Sequence, residues 1–339
     1  MVKKDQRGVK INWPLLCLMA VVFFSCNTGT NQNTSADKDV KKNVVPAPVF
    51  DADSSFNYVK AQTDFGPRIP NSASQTKCAE WLSNTMKKFA DTVIVQNFQT
   101  RGFDGKTLNG KNIISSFNPQ KGNRIMLCSH WDSRPFADQD SIRKNEPIDG
   151  ANDGASGVGV LIEVARQLAI AKPDLGVDII FFDIEDYGQP ENSGYPDMDD
   201  SYCLGSQYWS QNLHVPNYFA RYGILLDMVG GANATYTQEG TSMKYADNVT
   251  GMVWKTANDI GYGNYFLLEK TNPIVDDHYY INQIAQIKCT DIIHYDYNTP
   301  SHFWKHWHTH GDTIDKIDKN SLKAVGQTLL QVLFNELSY

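Results

Sequence analysis

The apolar positions of this chain follow two rhythms that alternate along it. Val177 to Asp186 reads Val-Asp-Ile-Ile-Phe-Phe-Asp-Ile-Glu-Asp. Its β-branched and aromatic run is the pattern of a strand covered on both faces within a largely parallel sheet. Tyr222 to Val229 predicts a second buried strand. Shorter strand-like pieces lie at Val93 to Phe98, Asn112 to Phe117, Arg124 to Cys128, Asn264 to Leu268 and Lys288 to His294. Between them the spacing becomes helical. Phe56 and Val59 predict a short first helix, and Cys78, Trp81, Leu82, Met86 and Phe89 a second, capped by Asn71 or Ser72. Val158, Leu161, Ile162, Ala165 and Leu168 form the core face of a third, opened by the Gly-rich stretch Asp149 to Gly159. Further helices are predicted at Leu204 to Leu213 and Lys244 to Ile260. A last one starts from a cap at Asn320 or Ser321 and buries Leu322, Val325, Leu329, Val332 and Leu333. Strands and helices alternate without a repeat or a second hydrophobic unit, which predicts one α/β domain over residues 50–339.

Composition adds little to this picture until the N-terminus. A basic stretch to Lys10 precedes the apolar run Leu15 to Phe24, which is too short to cross a bilayer comfortably and ends in Ser25-Cys26. Residues 1–26 read as a targeting segment that resembles a bacterial lipoprotein signal, with Cys26 as the lipidated first residue. Plain secretion is the alternative, and either way the body is exported, to the periplasm. Residues 27–49, rich in Asn, Thr, Ser and Lys and holding Pro46-Ala-Pro48, read as a flexible tether. The net charge is −7; Lys3, Lys4, Arg7 and Lys10 against Asp5 leave about −10 on the rest, which argues against nucleic acid as a partner. Cys78, Cys128, Cys203 and Cys289 are widely spaced, without a CxxC, and read as structural.

The chemistry sits at the ends of the predicted strands. Asp183, Glu185 and Asp186 close the buried run, where open α/β sheets place their ligands. Three acids so placed repel one another and lose hydration, and a divalent metal is the simplest compensation; loop and helix caps are the plainer reading. Asp153, in a Gly-rich turn before a helix, reads alone as an N-cap, although its small neighbours would also admit an ion. No Lys-Ser/Thr follows, so the turn is not a phosphate loop. His130-Trp-Asp132 has the spacing of a ligand and its orienting carboxylate, and Asp227 ends a strand as a functional or hydrogen-bonded acid. If Ser301 to His310 is extended, His306, His308 and His310 share one face, with Trp304 and Trp307 as aromatic walls. Asp276-Asp277-His278 reads as a solvated loop cluster.

The order of these signals decides more than any one of them. Strand-His-x-Asp, Gly150-Ala-Asn-Asp153, Phe181-Phe-Asp-Ile-Glu185-Asp186, Leu226-Asp227-Met-Val-Gly230, Asp276-Asp277-His278 and Trp307-His308-Thr309 follow one another as in the zinc-dependent aminopeptidase-like family. Within it the chain, from about Phe65 onward, resembles the glutaminyl-peptide cyclotransferases of animal type that some bacteria carry. The resemblance implies a single three-layer domain with a mixed, largely parallel central sheet flanked by helices. It implies one zinc on Asp153, Asp186 and His308, Glu185 as general acid-base, and Asp227 and Asp276 as acids that handle the substrate amine and the departing ammonia. Trp307 and His294 would line the substrate pocket. Substrates would be peptides and exported proteins with N-terminal Gln, and membrane contact would come only through a lipid on Cys26. His308 is chosen over His306 and His310 by the Trp-His-Thr match alone. Two departures stand out: position 186 is Asp where the family usually has Glu, and the loop Gln189 to Asp200 lacks the tryptophan of the animal enzymes, leaving Tyr187 or Tyr195 to stand in.

The rival is a two-zinc aminopeptidase in which His130, Asp153, Asp186, Asp227 and His308 hold both ions and Glu185 activates a water. The Asp276 cluster, His294 and Trp307 favour the cyclase. A binding module without chemistry would show broken ligand positions, and every position here holds a residue able to serve.

Overall fold

In the computed structural model, residues 46–337 are described; the expected leader and the tether up to residue 45 lie outside them. The elements are α1 Ala52–Thr63, α2 Ala73–Met86, β1 Thr92–Arg101, β2 Thr107–Phe117, β3 Arg124–His130, α3 Ala155–Ala171, β4 Gly176–Phe182, α4 Leu204–Gln211, β5 Tyr222–Asp227, β6 Tyr236–Gln238, α5 Gly240–Tyr245, α6 Asp247–Asp259, β7 Phe266–Lys270, α7 Asp277–Tyr280, β8 Cys289–Ile293 and α8 Lys319–Asn335. Six strands form one sheet in the order β1-β2-β4-β3-β5-β8. The β1-β2 and β2-β4 pairs are antiparallel, and the β4-β3, β3-β5 and β5-β8 pairs are parallel. β6 and β7 pair separately.

Strand period explains the three layers. Ile179 and Phe181 of β4 join Ile125, Leu127, Ile224, Leu226 and Ile292 on one face, against the apolar stripes of α1, α3, α6 and α8. Ile180 and Phe182 face the other way, with Met126, Cys128, Leu225 and Cys289, beneath a thinner cover that includes Trp209 of α4. Asp178, the polar interruption of the β4 run, receives a two-pronged bond from Arg124 at 2.6 and 2.7 Å, with Tyr218 and Ser116 donating to the same carboxylate.

From β3 the chain crosses through α3 to β4 on one side, and later returns to β5 on the other. The sheet therefore has its switch point at β3, and a crevice opens at the carboxyl ends of β4, β3 and β5. Those ends are His130, the segment that follows Phe182, and Asp227.

Several expectations shift. The helix predicted over 244–260 is two, broken at Ala246; α5 is capped by Glu239, and its Ser242 hydroxyl accepts from the Asp291 N–H of β8. Trp254, Val253 and Val249 on α6 then reach the core. The cap of α2 is Ser72, and that of α8 is Asp318 rather than Asn320 or Ser321. Among the described residues no helix is long and apolar enough to cross a membrane.

Candidate active site and metal centre

His130 ends β3 with its Nε2 3.1 Å from Asp153 Oδ1 and 3.1 Å from Asp227 Oδ1, and its Nδ1 3.4 Å from Asp132 Oδ1. The Asp132 carboxylate also accepts the backbone N–H groups of Glu185 and Asp186, each at 3.1 Å. One buried acid thus orients the imidazole and fixes the loop that presents the next two carboxylates. Asp153 does not cap α3: that helix starts at Ala155 without a side-chain cap, and the Asp153 carboxylate turns to His130. The N–H groups of Asn152 and Asp153 donate to Asp312 at 2.7 and 3.0 Å, which pins the turn from below. A Cβ on Gly154 would lie 2.5 Å from the His130 carbonyl and ring, so this close approach requires glycine there.

Asp186 and His308 meet from the other side. His308 Nε2 is 3.1 Å from Asp186 Oδ1 and 3.8 Å from Asp153 Oδ2. Its Nδ1 is 3.1 Å from Asp138 Oδ1, which in turn accepts from Arg134 Nε at 2.9 Å. Arg134 also donates to the carbonyls of Asp186 and Gly188, clamping the loop. Ile184, Met228 and His308 adopt left-handed φ of 57°, 49° and 55°. Such strain is held by surrounding structure and clusters at functional sites.

The donor set fits a divalent metal of the zinc type. Oδ2 of Asp153 and Oδ2 of Asp186 are both buried without a hydrogen-bond partner. Ligand atoms of Asp153, Asp186 and His308 lie within 4.8 Å of one another, as do those of His130, Asp153 and Asp227. Tetrahedral zinc, with ligands at about 2.0–2.1 Å, would set them roughly 3.3 Å apart. The shorter Asp186 side chain reaches His308 already, so the missing methylene is no obstacle.

Burial and crowding shift the acids. Glu185 lies well above the usual carboxylate range, first because it is desolvated, against the opposing pull of His130 and with the added repulsion of Asp186 and Asp276. Burial, then Asp153, raises Asp186 to about 6; burial, Asp153 and Asp276 raise Asp227 to about 7 despite its bond to His130. Asp312 is raised to about 8 by burial and Asp153. His130 stays protonated above its usual range: burial opposes this, but its bonds to Asp132, Asp153 and Asp227 outweigh it.

A cavity of about 250 Å³ opens onto Asp153, Glu185, Asp186, Asp227, Asp276 and His308, walled by Trp307, Tyr202, Phe303, Ile274 and Val275. Trp307 stacks on His308 with ring centres 3.8 Å apart. His294 is buried just beyond β8, bridging backbone with Tyr236, and is not among the lining residues. The 301–310 segment turns rather than extends, so only His308 enters; His310 pairs with Asp140 at 3.0 Å. Asp183 points away, accepting from Gln75 and the Lys111 N–H at 2.8 Å each. Asp276 and Asp277 are buried, not solvated, and Asp276 caps α7. Neither Tyr187 nor Tyr195 lines this cavity: Tyr187 bonds Asp104 and Tyr195 packs on Phe103, whereas Tyr202 is part of its wall. Sequence reasoning missed Tyr202, Phe303, Asp312, Arg134 and Asp138. The i, i+4 pair Arg134 and Asp138, just past the His-x-Asp motif, is a signal that could have flagged the last two.

These shifts set a pH dependence. Asp186, Asp227 and Asp312 hold protons more tightly in the native metal-free protein than when unfolded. Their penalty is absent below about pH 3.8 and grows as pH rises through about 6, 7 and 8. His130 and His308, also raised, contribute stability present below 6.5 and lost as pH rises through their folded values. We expect the chelator-treated protein to melt at lower temperature at pH 8 than at pH 5, and saturating zinc to restore most at pH 8, because ligation displaces these protons. Thermal denaturation at fixed ionic strength measures both; a metal-free protein more stable at pH 8 contradicts the electrostatics described.

The chain matches peptidase family M28 over residues 112–333. A solved Bacteroides thetaiotaomicron glutaminyl cyclase bound to N-acetylhistamine is 48% identical, with a TM-score of 0.84 over 86% of this chain and 99% of that one. A Zn-dependent exopeptidase from Parabacteroides distasonis is 46% identical, also with a TM-score of 0.84, over 86% of this chain and 100% of the other. Among curated relatives, the glutaminyl-peptide cyclotransferase of Bothrops jararaca is 26% identical over 258 residues, 66% of this chain and 65% of that enzyme. The α/β architecture and the likeness to glutaminyl cyclases expected from the motifs are both borne out. With its fold, its strand-end carboxylates and more than half its length matched, the chain belongs to peptidase family M28.

Proposed function

We propose that this chain is a glutaminyl-peptide cyclotransferase that converts N-terminal glutamine to pyroglutamate with release of ammonia. The observation that carries the reading is where unsatisfied valence lies. Of the two ligand groups' buried oxygens without a hydrogen-bond partner, Oδ2 of Asp153 is shared by both groups, and Oδ2 of Asp186 belongs to the Asp153–Asp186–His308 group alone; Asp227, the acid peculiar to the other group, is bonded to His130 Nε2 at 3.1 Å. That pattern supports one metal, not two. Asp153, Asp186 and His308 would hold a zinc ion, which when bound polarises the glutamine side-chain carbonyl. The cyclase likeness at 48% identity supports the same reading.

The protein's own groups supply the rest. Glu185, raised by burial, is suited to take a proton from the substrate α-amine and later give it back. The amine nitrogen attacks the side-chain carbonyl carbon, closing a five-membered lactam. The bond from that carbon to the side-chain nitrogen breaks, and the proton returned by Glu185 completes ammonia. Asp227 and Asp276, both lining the cavity, would orient the amine and receive the departing ammonia. Trp307 would cover one side of the small substrate head, and the narrow cavity would keep bulk water from the carbonyl. No nucleophilic Ser or Cys is needed, because the nucleophile belongs to the substrate.

The two-metal aminopeptidase reading keeps two observations in its favour, the second ligand group on His130, Asp153 and Asp227 and the likeness to a Zn-dependent exopeptidase at 46% identity. Zinc-loaded protein from residue 27 onward, incubated with a Gln-initiated and a Leu-initiated peptide and read by mass spectrometry, separates the two. We expect the Gln peptide to lose one ammonia and no residue. Glu185→Gln should lower the rate by about 10²–10⁴-fold. Loss of the first residue from the Leu peptide would instead make the chain an aminopeptidase.

The sequence leader supports a further reading: the enzyme works outside the cytoplasm, anchored through lipid on Cys26, on exported proteins that begin with Gln. Labelled fatty acid should enter the wild-type chain and the protein should partition with membranes, whereas Cys26→Ala should abolish both. Unlabelled, freely released wild-type protein would exclude the anchor.

A further inference from the structure

One buried thiol remains unexplained by the reaction above. Cys203 is fully buried at the N-cap of α4, and its thiol lies beside two carboxylates. Its Sγ is 3.1 Å from Glu185 Oε1 and 4.0 Å from Asp276 Oδ1. Among the described residues it is the one hydrogen-bond donor to the Glu185 carboxylate, whose Oε2 lies 4.0 Å from His130 Nδ1. The backbones are joined as well. Cys203 N–H donates to the Glu185 carbonyl at 2.8 Å, and Leu204 N–H to that of Ile184 at 2.9 Å. One residue on each side of this clasp is held in left-handed backbone, Ile184 at φ 57° and Cys203 at φ 59°.

We infer that Cys203 is a positioning residue: its thiol donates to Glu185 Oε1 and fixes the rotation of that carboxylate, leaving Oε2 to exchange protons with substrate. Burial and the neighbouring acids keep the thiol well above its usual pKa range, so it remains a donor and not a nucleophile. A glutamate free to rotate about its last bond would spend less time in the productive orientation, and small misplacements of a reacting group are costly. The role rests on Glu185 acting as the proton carrier, whichever M28-type reaction the protein performs.

The test combines a spectroscopic and a kinetic readout. In the infrared, the wild-type S–H stretch assigned by its loss in Cys203→Ser should lie at the low frequency of a thiol bonded to a carboxylate, and should move up in Glu185→Gln. For turnover, Cys203→Ala should lower kcat about tenfold with KM changed less than about twofold, and Cys203→Ser should recover most of the loss. In a Glu185→Gln background, Cys203→Ala should cost nothing further, because the group it orients is gone. A S–H band indifferent to Glu185→Gln overturns the inference, as does an equal loss in both backgrounds accompanied by a fall in Tm, the mark of simple packing. If the wild type cyclises no Gln peptide, the proposed function fails, while the infrared band still decides the role of Cys203.

Discussion

Too many carboxylates converge on one end of the sheet for the cations that accompany them. Asp132, Asp153, Glu185, Asp186, Asp227, Asp276 and Asp312 are buried or nearly so, around His130, His308 and Arg134. An unpaired buried charge is too costly to persist, so each acid must be protonated, hydrogen-bonded or placed against a cation. The local structure follows from that demand. Asp132 and Asp312 spend their oxygens on backbone N–H groups, and this fixes the two loops that carry the ligands. Asp138 links Arg134 to His308 and holds the imidazole in place. Oδ2 of Asp153, Asp186 and Asp276 are left over, and the first two are the demand that a metal ion would meet.

The fold serves this crowding by bringing distant parts of the chain together. β3, β4 and β5 end side by side at the point where the sheet reverses its order, so residues nearly a hundred positions apart share one crevice. Parallel pairing makes that possible: all carboxyl ends point the same way. Strained backbone at Ile184, Met228 and His308 turns side chains into the crevice that regular strand geometry would direct elsewhere.

Most of the frame was legible because buried strands and amphipathic helices leave periodic traces. Val177 to Phe182 and Tyr222 to Asp227 were found as β4 and β5, and the core faces of α3 and α8 as written in their spacing. The site was legible only in part. Glu185, Asp186, Asp227 and His308 stand at strand ends or in a dense motif. Which neighbours face inward depends on loop geometry, however, and that leaves no periodic signal. Asp183 groups with the site in the sequence, yet the chain leaves the strand at Phe182 and turns at left-handed Ile184, so the Asp183 carboxylate bonds Gln75 and the Lys111 N–H instead. Asp276 and Asp277 looked solvated because adjacent acids usually are; their burial depends on contacts with α4 and β5 far away in sequence. Tyr202, reached from a loop of Gly, Pro and acids, carried no mark at all.

On the proposed function, one metal ion would sit on Asp153, Asp186 and His308 while His130 and Asp227 remain a hydrogen-bonded pair. Anomalous diffraction at the zinc edge, on crystals grown with zinc in excess, tests it directly. The account predicts a single peak bonded to those three side chains. A second peak between His130 and Asp227, about 3.5–4 Å from the first, would contradict it and make the centre a two-metal site.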